Sequence, residues 1–433
     1  IIRLSQLDEG DAMPTEPVDL LAVSQEAAEN LHEPDASMFH RLNEASGGMV
    51  RLITVAPEEA EEFVKAHTPH GGAGRVLINY LQYADRAQFD TAVALPRGSL
   101  LKAPLEELNT TVYEVDGIAD RSYDKGDVKL LQELIARVDP DIVHTHGALS
   151  GRIAARRCGK KVVYTRHSAF PVPAKLRYPP GRWVNKWVNE HYADRIIAVS
   201  PAAAANLTDA GISSKRITVM MNGVAPVARS APEVCRDFRA QYGLSPDVFT
   251  AGILARIEPY KGHLHIVEAA QQLKEEGRKL QILIAGVGGY EEELRGEVAR
   301  RGLEDTVFFL GFQTDVAPVL SVLDVQLNAS YGTETSSLSI LEGMSMGLPA
   351  IVSSYGGNPW LIDDGEDGLI FPNRDSAGLA RCIARLMDEP ETLARMSRRA
   401  VEIFQSRFTG EIFAKNVEQV YLDVLKGVPH GTK

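Results

Sequence analysis

RIIAVSPAAAANLTDAGISSKRITVMM, residues 195–221, decides the fold. It opens on RIIAVS (195–200), a short run rich in β-branched and apolar residues, which reads as a strand. Ser200 then precedes the Ala-rich stretch PAAAANL (201–207), where its hydroxyl is placed to cap the first turn of a helix. A second branched run, RITVMM (216–221), follows. Strand, helix and strand, with the strands apolar on both faces, make one βαβ unit of a buried parallel sheet.

The same alternation extends in both directions. Upstream lie MVRLITVA (49–56), FDTAVAL (89–95), DIVHT (141–145) and KVVYT (161–165), with helical stretches such as LLQELIARV (130–138) between them. A polar stretch, APVARSAPE (225–233), reads as a linker. Strands then resume as TAGILA (250–255), QILIAG (281–286), VFFLG (307–311), DVQLN (324–328), PAIVSS (349–354) and GLIFP (368–372). The final 45 residues have a helical pattern. The chain is therefore α/β, with two doubly wound domains joined by a hinge.

Composition narrows the class. The 433 residues are 44% hydrophobic and 24% charged, with 36 Gly and 23 Pro, which excludes collagen-like, disordered and disulfide-scaffold chains. No apolar run approaches the roughly 18 residues of a membrane span, and no signal-peptide pattern opens the sequence. Cys158, Cys235 and Cys382 lie far apart without CxxC spacing, as in a reducing cytosol. The expected location is cytoplasmic. Net charge is −12, and residues 1–50, with ten acids and two bases, hold most of it. That balance disfavours nucleic acid as a partner. The acidic extension 1–48 reads either as a partner-binding arm or as a solvated tail. Within it, LAVSQEAAENL (21–31) shares a frame with IAVSPAAAANL (197–207); both encode a strand, a Ser cap and an Ala-rich helix, or mark a duplicated remnant.

Several stretches could carry chemistry. HGGAGR (70–75) precedes a helical stretch, where glycines permit close approach and a helix N-terminus favours an anion, although a plain tight turn fits equally. Its spacing matches neither GxGxxG nor a P-loop. Arg256 and Lys261 sit on a loop after the strand 250–255, at the carboxyl edge where open α/β sheets bind ligands. A guanidinium fork and an ammonium suit a diphosphate, or else a solvated turn. In YGTETSSLSILEGMSMGLPAIVSSYGGNPWLI (331–362), Ser336, Ser337 and Ser339 cluster at an expected helix start. Glu334 and Glu342 are eight residues apart in the same stretch, and Gly356-Gly357 opens a further loop. The pairs His144-x-His146 and His263-x-His265 have no neighbouring cluster of acids or thiols, so no metal is expected. His144 reads as a packed strand-end residue.

KLRYPPGRWVNKWVNE (175–190) carries Lys175, Arg177, Arg182 and Lys186, with Trp183 and Trp187 one helical turn apart. It reads as a membrane-surface helix or as one whose tryptophans pack inward.

Together these residues carry a resemblance. R-x4-K-G, E-x7-E, the SYGGNPW loop, DIVHTHG, ADRIIAVS and NGV (222–224) resemble the family 4 retaining glycosyltransferases of the GT-B fold, over about residues 49–425. The resemblance implies two Rossmann-like domains facing across a cleft. These are an N-terminal acceptor domain (49–224) and a C-terminal nucleotide-sugar donor domain (245–408), with a last helix (409–433) crossing back to the first. It implies that Arg256 and Lys261 hold the donor diphosphate, that Glu342 accepts from the ribose and that Glu334 contacts the sugar near its 3-position. His146 would contact the sugar near its 6-hydroxyl, and Gly72 would approach the diphosphate. Ser337, Leu338, Gly356 and Gly357 would add donor contacts.

The substrates implied are a nucleotide diphosphate sugar, a UDP-sugar first, and a glycan or lipid-linked acceptor at the inner face of a membrane. The family retains anomeric configuration and uses neither metal nor cofactor. Departures are Thr335 where Gly is usual, Ala225 after NGV, and Gly286-Val287-Gly288-Gly289 without the usual acid and proline. A GT-B sugar-nucleotide epimerase and a non-catalytic nucleotide-sugar-binding scaffold remain as alternatives.

Overall fold

The computed structural model describes residues 49–55, 72–116 and 123–427. The acidic extension, its 21–31 repeat and the first two residues of the HGGAGR stretch lie outside these. The described residues divide into two compact units, one made of 49–55, 72–116, 123–221 and 410–427, the other of 222–409.

The first unit is built on a seven-stranded sheet: β1 (Val50–Val55), β2 (Phe89–Pro96), β3 (Thr111–Val115), β4 (Ile142–Thr145), β5 (Lys161–Arg166), β6 (Arg195–Ala198) and β7 (Ile217–Val219). Their order is β3-β2-β1-β4-β5-β6-β7, every pair parallel. The apolar runs are buried as their composition requires; β6, for example, is buried at all four positions. Ser200 caps the helix Pro201–Asp209 by accepting from the Ala203 amide at 3.2 Å. Sequence reading missed β3. It is an edge strand paired only to β2, and only Val115 is fully buried, so no continuous apolar run marks it.

The second unit carries β8 (Phe249–Leu254), β9 (Leu280–Ala285), β10 (Val307–Gly311), β11 (Val325–Asn328), β12 (Ala350–Ser353) and β13 (Gly368–Phe371). Their order is β10-β9-β8-β11-β12-β13, again all parallel. In each sheet the order reverses once, between β1 and β4 and between β8 and β11. Such a reversal leaves a crevice beyond the strand carboxyl ends.

One boundary needs correction. The stretch 225–233 reads as a linker and the second domain as starting at 245, yet the second unit begins at Asn222. Side-chain hydroxyls fasten the polar stretch: Ser345 Oγ accepts from the Val227 amide and Ser321 Oγ from the Ser230 amide, both at 2.9 Å. The helix Pro232–Tyr242 then buries Phe238 against the core that contains Leu320 and Leu323. The polarity here serves anchoring and not a free hinge. At the other end, the helix Gly410–Leu425 belongs to the first unit and packs on the helix Gly72–Tyr83.

Candidate active site

The reversal between β8 and β11 gathers the cations and one carboxylate. After β8 the chain turns at Gly262, whose φ of +77° suits glycine and whose added Cβ would stand 2.0 Å from the Ala329 carbonyl oxygen. That approach presses the cation loop against the end of β11. Lys261 Nζ consequently donates to Glu334 Oε2 at 3.0 Å. Glu334 is 8% exposed, and its Oε2 also accepts from Asn328 Nδ2 at 3.2 Å and Ser330 Oγ at 3.0 Å. Burial pushes the Glu334 carboxyl up, but the Lys261 charge and these hydrogen bonds together hold it below the usual carboxylate range. It is a buried carboxylate kept ionised.

Arg256 lies exposed on the same loop and donates to the Tyr260 hydroxyl at 3.2 Å. Lys261 Nζ stands 5.9 Å from the centroid of the same tyrosine ring, so Tyr260 sits beside both cations. The Tyr331 amide in turn donates to the Tyr260 carbonyl at 2.8 Å. Within the E-x7-E segment a helix follows the serine cluster, as Leu338–Ser345. Ser337 stands at the N-cap of the helix Leu338–Ser345, its hydroxyl paired with Ser339 Oγ at 3.1 Å and making no cap bond. Ser336 is buried with a hydroxyl that has no partner, and Glu342 lies buried one turn into the helix.

The Gly356-Gly357 loop packs on the backbone that follows Ser330. The Gly357 amide donates to the Glu334 carbonyl at 2.9 Å, and a Cβ at Gly357 would stand 1.6 Å from the Thr335 carbonyl oxygen. The loop backs the Glu334–Thr335 backbone, so the Gly357 N–H is occupied within the chain and not offered to a donor.

Gly72 and His146 belong to the first unit. Gly72 is exposed at the first position of its helix, and a Cβ there would meet open space. What read as a glycine loop is already a helical turn from Gly72, and Gly74 serves packing, since its Cβ would meet Leu101 at 2.8 Å. His146 follows β4, and its amide donates to the Val55 carbonyl at the end of β1. Its ring is 5% exposed, stacks on His144 at 4.5 Å, and its Nδ1 lies 2.7 Å from His167 Nε2, while its own Nε2 is buried without a partner. Burial lowers its pKa to about 4, so the ring is neutral at pH 7. His144 is packed as expected, between the Tyr421 hydroxyl and Thr165 Oγ1, each at 2.7 Å. Among the described residues no group of three or more His, Cys, Asp or Glu could hold a metal.

Sequence reasoning missed Tyr260, Asn328, Ser330 and His167. The triplet Asn328-Ala329-Ser330, polar at the end of an apolar strand, was the available signal for two of them.

Comparisons with known proteins agree with this architecture. Residues 70–227 match the family described as Glycosyltransferase Family 4, and residues 235–402 match Glycosyl transferases group 1. EpsD of Bacillus subtilis (strain 168) is 29% identical over 317 residues, 68% of this chain and 80% of its own. A UDP-Gal:alpha-D-GlcNAc-diphosphoundecaprenol alpha-1,3-galactosyltransferase of Escherichia coli is 26% identical over 309 residues, 68% of this chain and 78% of its own. Among solved structures, HepE of Anabaena in complex with UDP superposes with a TM-score of 0.73 at 21% identity, covering 86% of this chain and 100% of HepE. A glycosyltransferase of Rickettsia africae gives a TM-score of 0.74 at 21% identity, covering 87% of this chain and 99% of that one. The two family matches span about three quarters of the sequence, on two Rossmann-like units, and the chain belongs to the family 4 glycosyltransferases of the GT-B fold.

Proposed function

We propose that this glycosyltransferase moves a hexose or N-acetylhexosamine from a UDP-sugar to a glycan or lipid-linked acceptor, with retention of anomeric configuration. The observation that carries the reading is the Lys261–Glu334 pair at the β8/β11 reversal, with Arg256 on the same loop and Glu342 on the helix that follows Glu334. Lys261 and Arg256 meet the negative charge that grows as the diphosphate leaves, a differential stabilisation of the transition state. Glu342 accepts from the ribose hydroxyls. Glu334, kept ionised, accepts from a sugar hydroxyl near the 3-position, and His146, neutral at pH 7, serves the 6-hydroxyl. The acceptor hydroxyl attacks from the face the diphosphate leaves, and the leaving phosphate takes its proton. Because two side-chain cations supply the positive charge, no divalent metal or cofactor is required. UDP in the HepE complex supports the choice of nucleotide, and the diphosphoundecaprenol acceptor named for the Escherichia coli relative supports a lipid-linked acceptor. Transfer from UDP-sugars with excess EDTA, followed by NMR of the new linkage, tests the reading. Retained configuration and undiminished rate are expected. An inverted centre, or activity restored only by magnesium or manganese, would overturn it.

We further propose that the protein works in the cytoplasm at a membrane surface, through the helix Gly181–His191. Trp183 is 66% and Trp187 37% exposed there, on the same helix as Arg182 and Lys186. No helix among the described residues is long and apolar enough to cross a membrane.

A further inference from the structure

We propose that Asn358 is a positioning residue that holds Glu334 in its working geometry. The inference rests on the reading of Glu334 as the carboxylate that contacts the transferred sugar. Two of the three groups bound to Glu334 Oε2 are the Asn328 amide and the Ser330 hydroxyl. Neither is fixed by its own position alone. The Asn328 amide could turn over and present its oxygen to the carboxylate, and the Ser330 hydroxyl could swing elsewhere.

One side chain restrains both. Asn358 is fully buried, and its Nδ2 carries two N–H groups. The first donates to Asn328 Oδ1 at 3.3 Å, and the second to Ser353 Oγ at 3.0 Å. Asn328 Oδ1 also accepts from the Ser330 amide at 3.1 Å, so two donors fix that oxygen away from Glu334 and leave Nδ2 as the end facing it. Ser353 Oγ, having accepted from Asn358, donates its single proton to the Ser330 carbonyl at 2.6 Å, which tethers the residue whose hydroxyl reaches Glu334. A single amide at the start of the segment after Gly357 thus fastens the ends of β11 and β12 around one carboxylate oxygen.

The arrangement carries a cost that packing alone does not explain. Asn358 Oδ1 is buried without a hydrogen-bond partner. Turning the Asn358 amide over would free both N–H groups and set its oxygen against Asn328 Oδ1, two acceptors face to face. The orphaned oxygen is tolerated because both hydrogens are needed on the Glu334 side. The three donors converge on Oε2 and not on Oε1. That leaves Oε1 as the oxygen for a sugar hydroxyl.

Asn358→Asp keeps the shape and removes both N–H donors, which makes it the direct test. It is expected to lower kcat for sugar transfer about tenfold, while the dissociation constant for UDP changes less than threefold. The deciding comparison is a double-mutant cycle with Glu334→Gln. If Asn358 acts through Glu334, Asn358→Asp should cost less than threefold in the Glu334→Gln background. The same tenfold loss in both backgrounds would overturn the proposal and leave Asn358 a packing residue. Should Asn358→Asp fail to fold, Ser353→Ala removes one arm of the tether and must show a smaller loss with the same non-additivity; an additive loss overturns the proposal equally. Failure of wild-type protein to bind UDP would count against the nucleotide-sugar reading itself, and calorimetry separates that outcome from a positioning failure.

Discussion

At position 262 a methyl group would collide with the Ala329 carbonyl, and φ of +77° would be strained for any side chain. Gly262→Ala should therefore push the Lys261 loop away from β11. The expected cost is about 1–3 kcal/mol of stability, with a loss in kcat larger than that of a surface control such as Gly277→Ala. Thermal unfolding and steady-state kinetics measured together check this; a lost melting temperature with wild-type kcat would show that the loop does not place Lys261. Asp367 offers a test of opposite sign. It is fully buried, its Oδ2 has no partner, and burial, helped by the Asp363 charge, pushes its carboxyl up to about 6 against backbone hydrogen bonds and the Arg407 charge. The folded state then holds the proton more tightly than the unfolded chain. Its contribution is complete below about pH 4 and is lost as pH rises through 6. Asp367→Asn should flatten stability between pH 4 and 6.5 and add about 1–3 kcal/mol at pH 7. Denaturant unfolding at pH 4, 5.5 and 7 reads the difference; an unchanged pH slope would mean the group titrates normally.

Elements join through few, specific contacts. The helix Gly410–Leu425 enters the first unit at Tyr421, which is fully buried and bonded to His144. Tyr421→Phe keeps the ring and leaves a buried imidazole nitrogen without its partner, at about 1–3 kcal/mol. A melting temperature equal to wild type would show that the bond contributes nothing net. The helix Gly181–His191 differs, because its tryptophans face outward: Trp187 stacks on His191 at 4.9 Å, and Trp183 is two-thirds exposed. Binding to anionic vesicles should fall with salt and with Trp183→Ala, since each cation near such a surface contributes about 1 kcal/mol. No binding at low salt would remove the membrane from the reading. Helix periodicity placed this basic, aromatic face in the sequence, but whether the indoles turned outward or inward was decided by packing. The inner positions Asn185 and Asn189 are held by bonds to Ala210 and Arg152, which a sequence does not display.

For the molecule as a whole, a UDP concentration 100 times its dissociation constant should raise stability by about 2.7 kcal/mol, with GDP and ADP weaker. A panel of nucleotides in a thermal-shift assay measures this, and equal shifts from all three would deny a uridine preference. The sequence by itself determined the two parallel sheets. Strands such as β6 and β9 are mostly apolar on both faces because helices cover both, and that demand appears in most residues of the run, Arg195 and Gln281 excepted. It also singled out Arg256, Lys261, Glu334 and Glu342 as candidates for the site, because their chemistry and spacing are local. It did not determine β3, whose exposed edge removes the need for a continuous apolar run, nor the join at 222, where hydroxyls from distant segments hold a polar stretch in place. Tertiary structure alone decided that Lys261 meets Glu334 and that Asn328, Ser330 and Asn358 gather around it. These residues lie up to 97 positions apart, from Lys261 to Asn358. What joins them is the strand order β8-β11-β12, which no local pattern of side chains encodes.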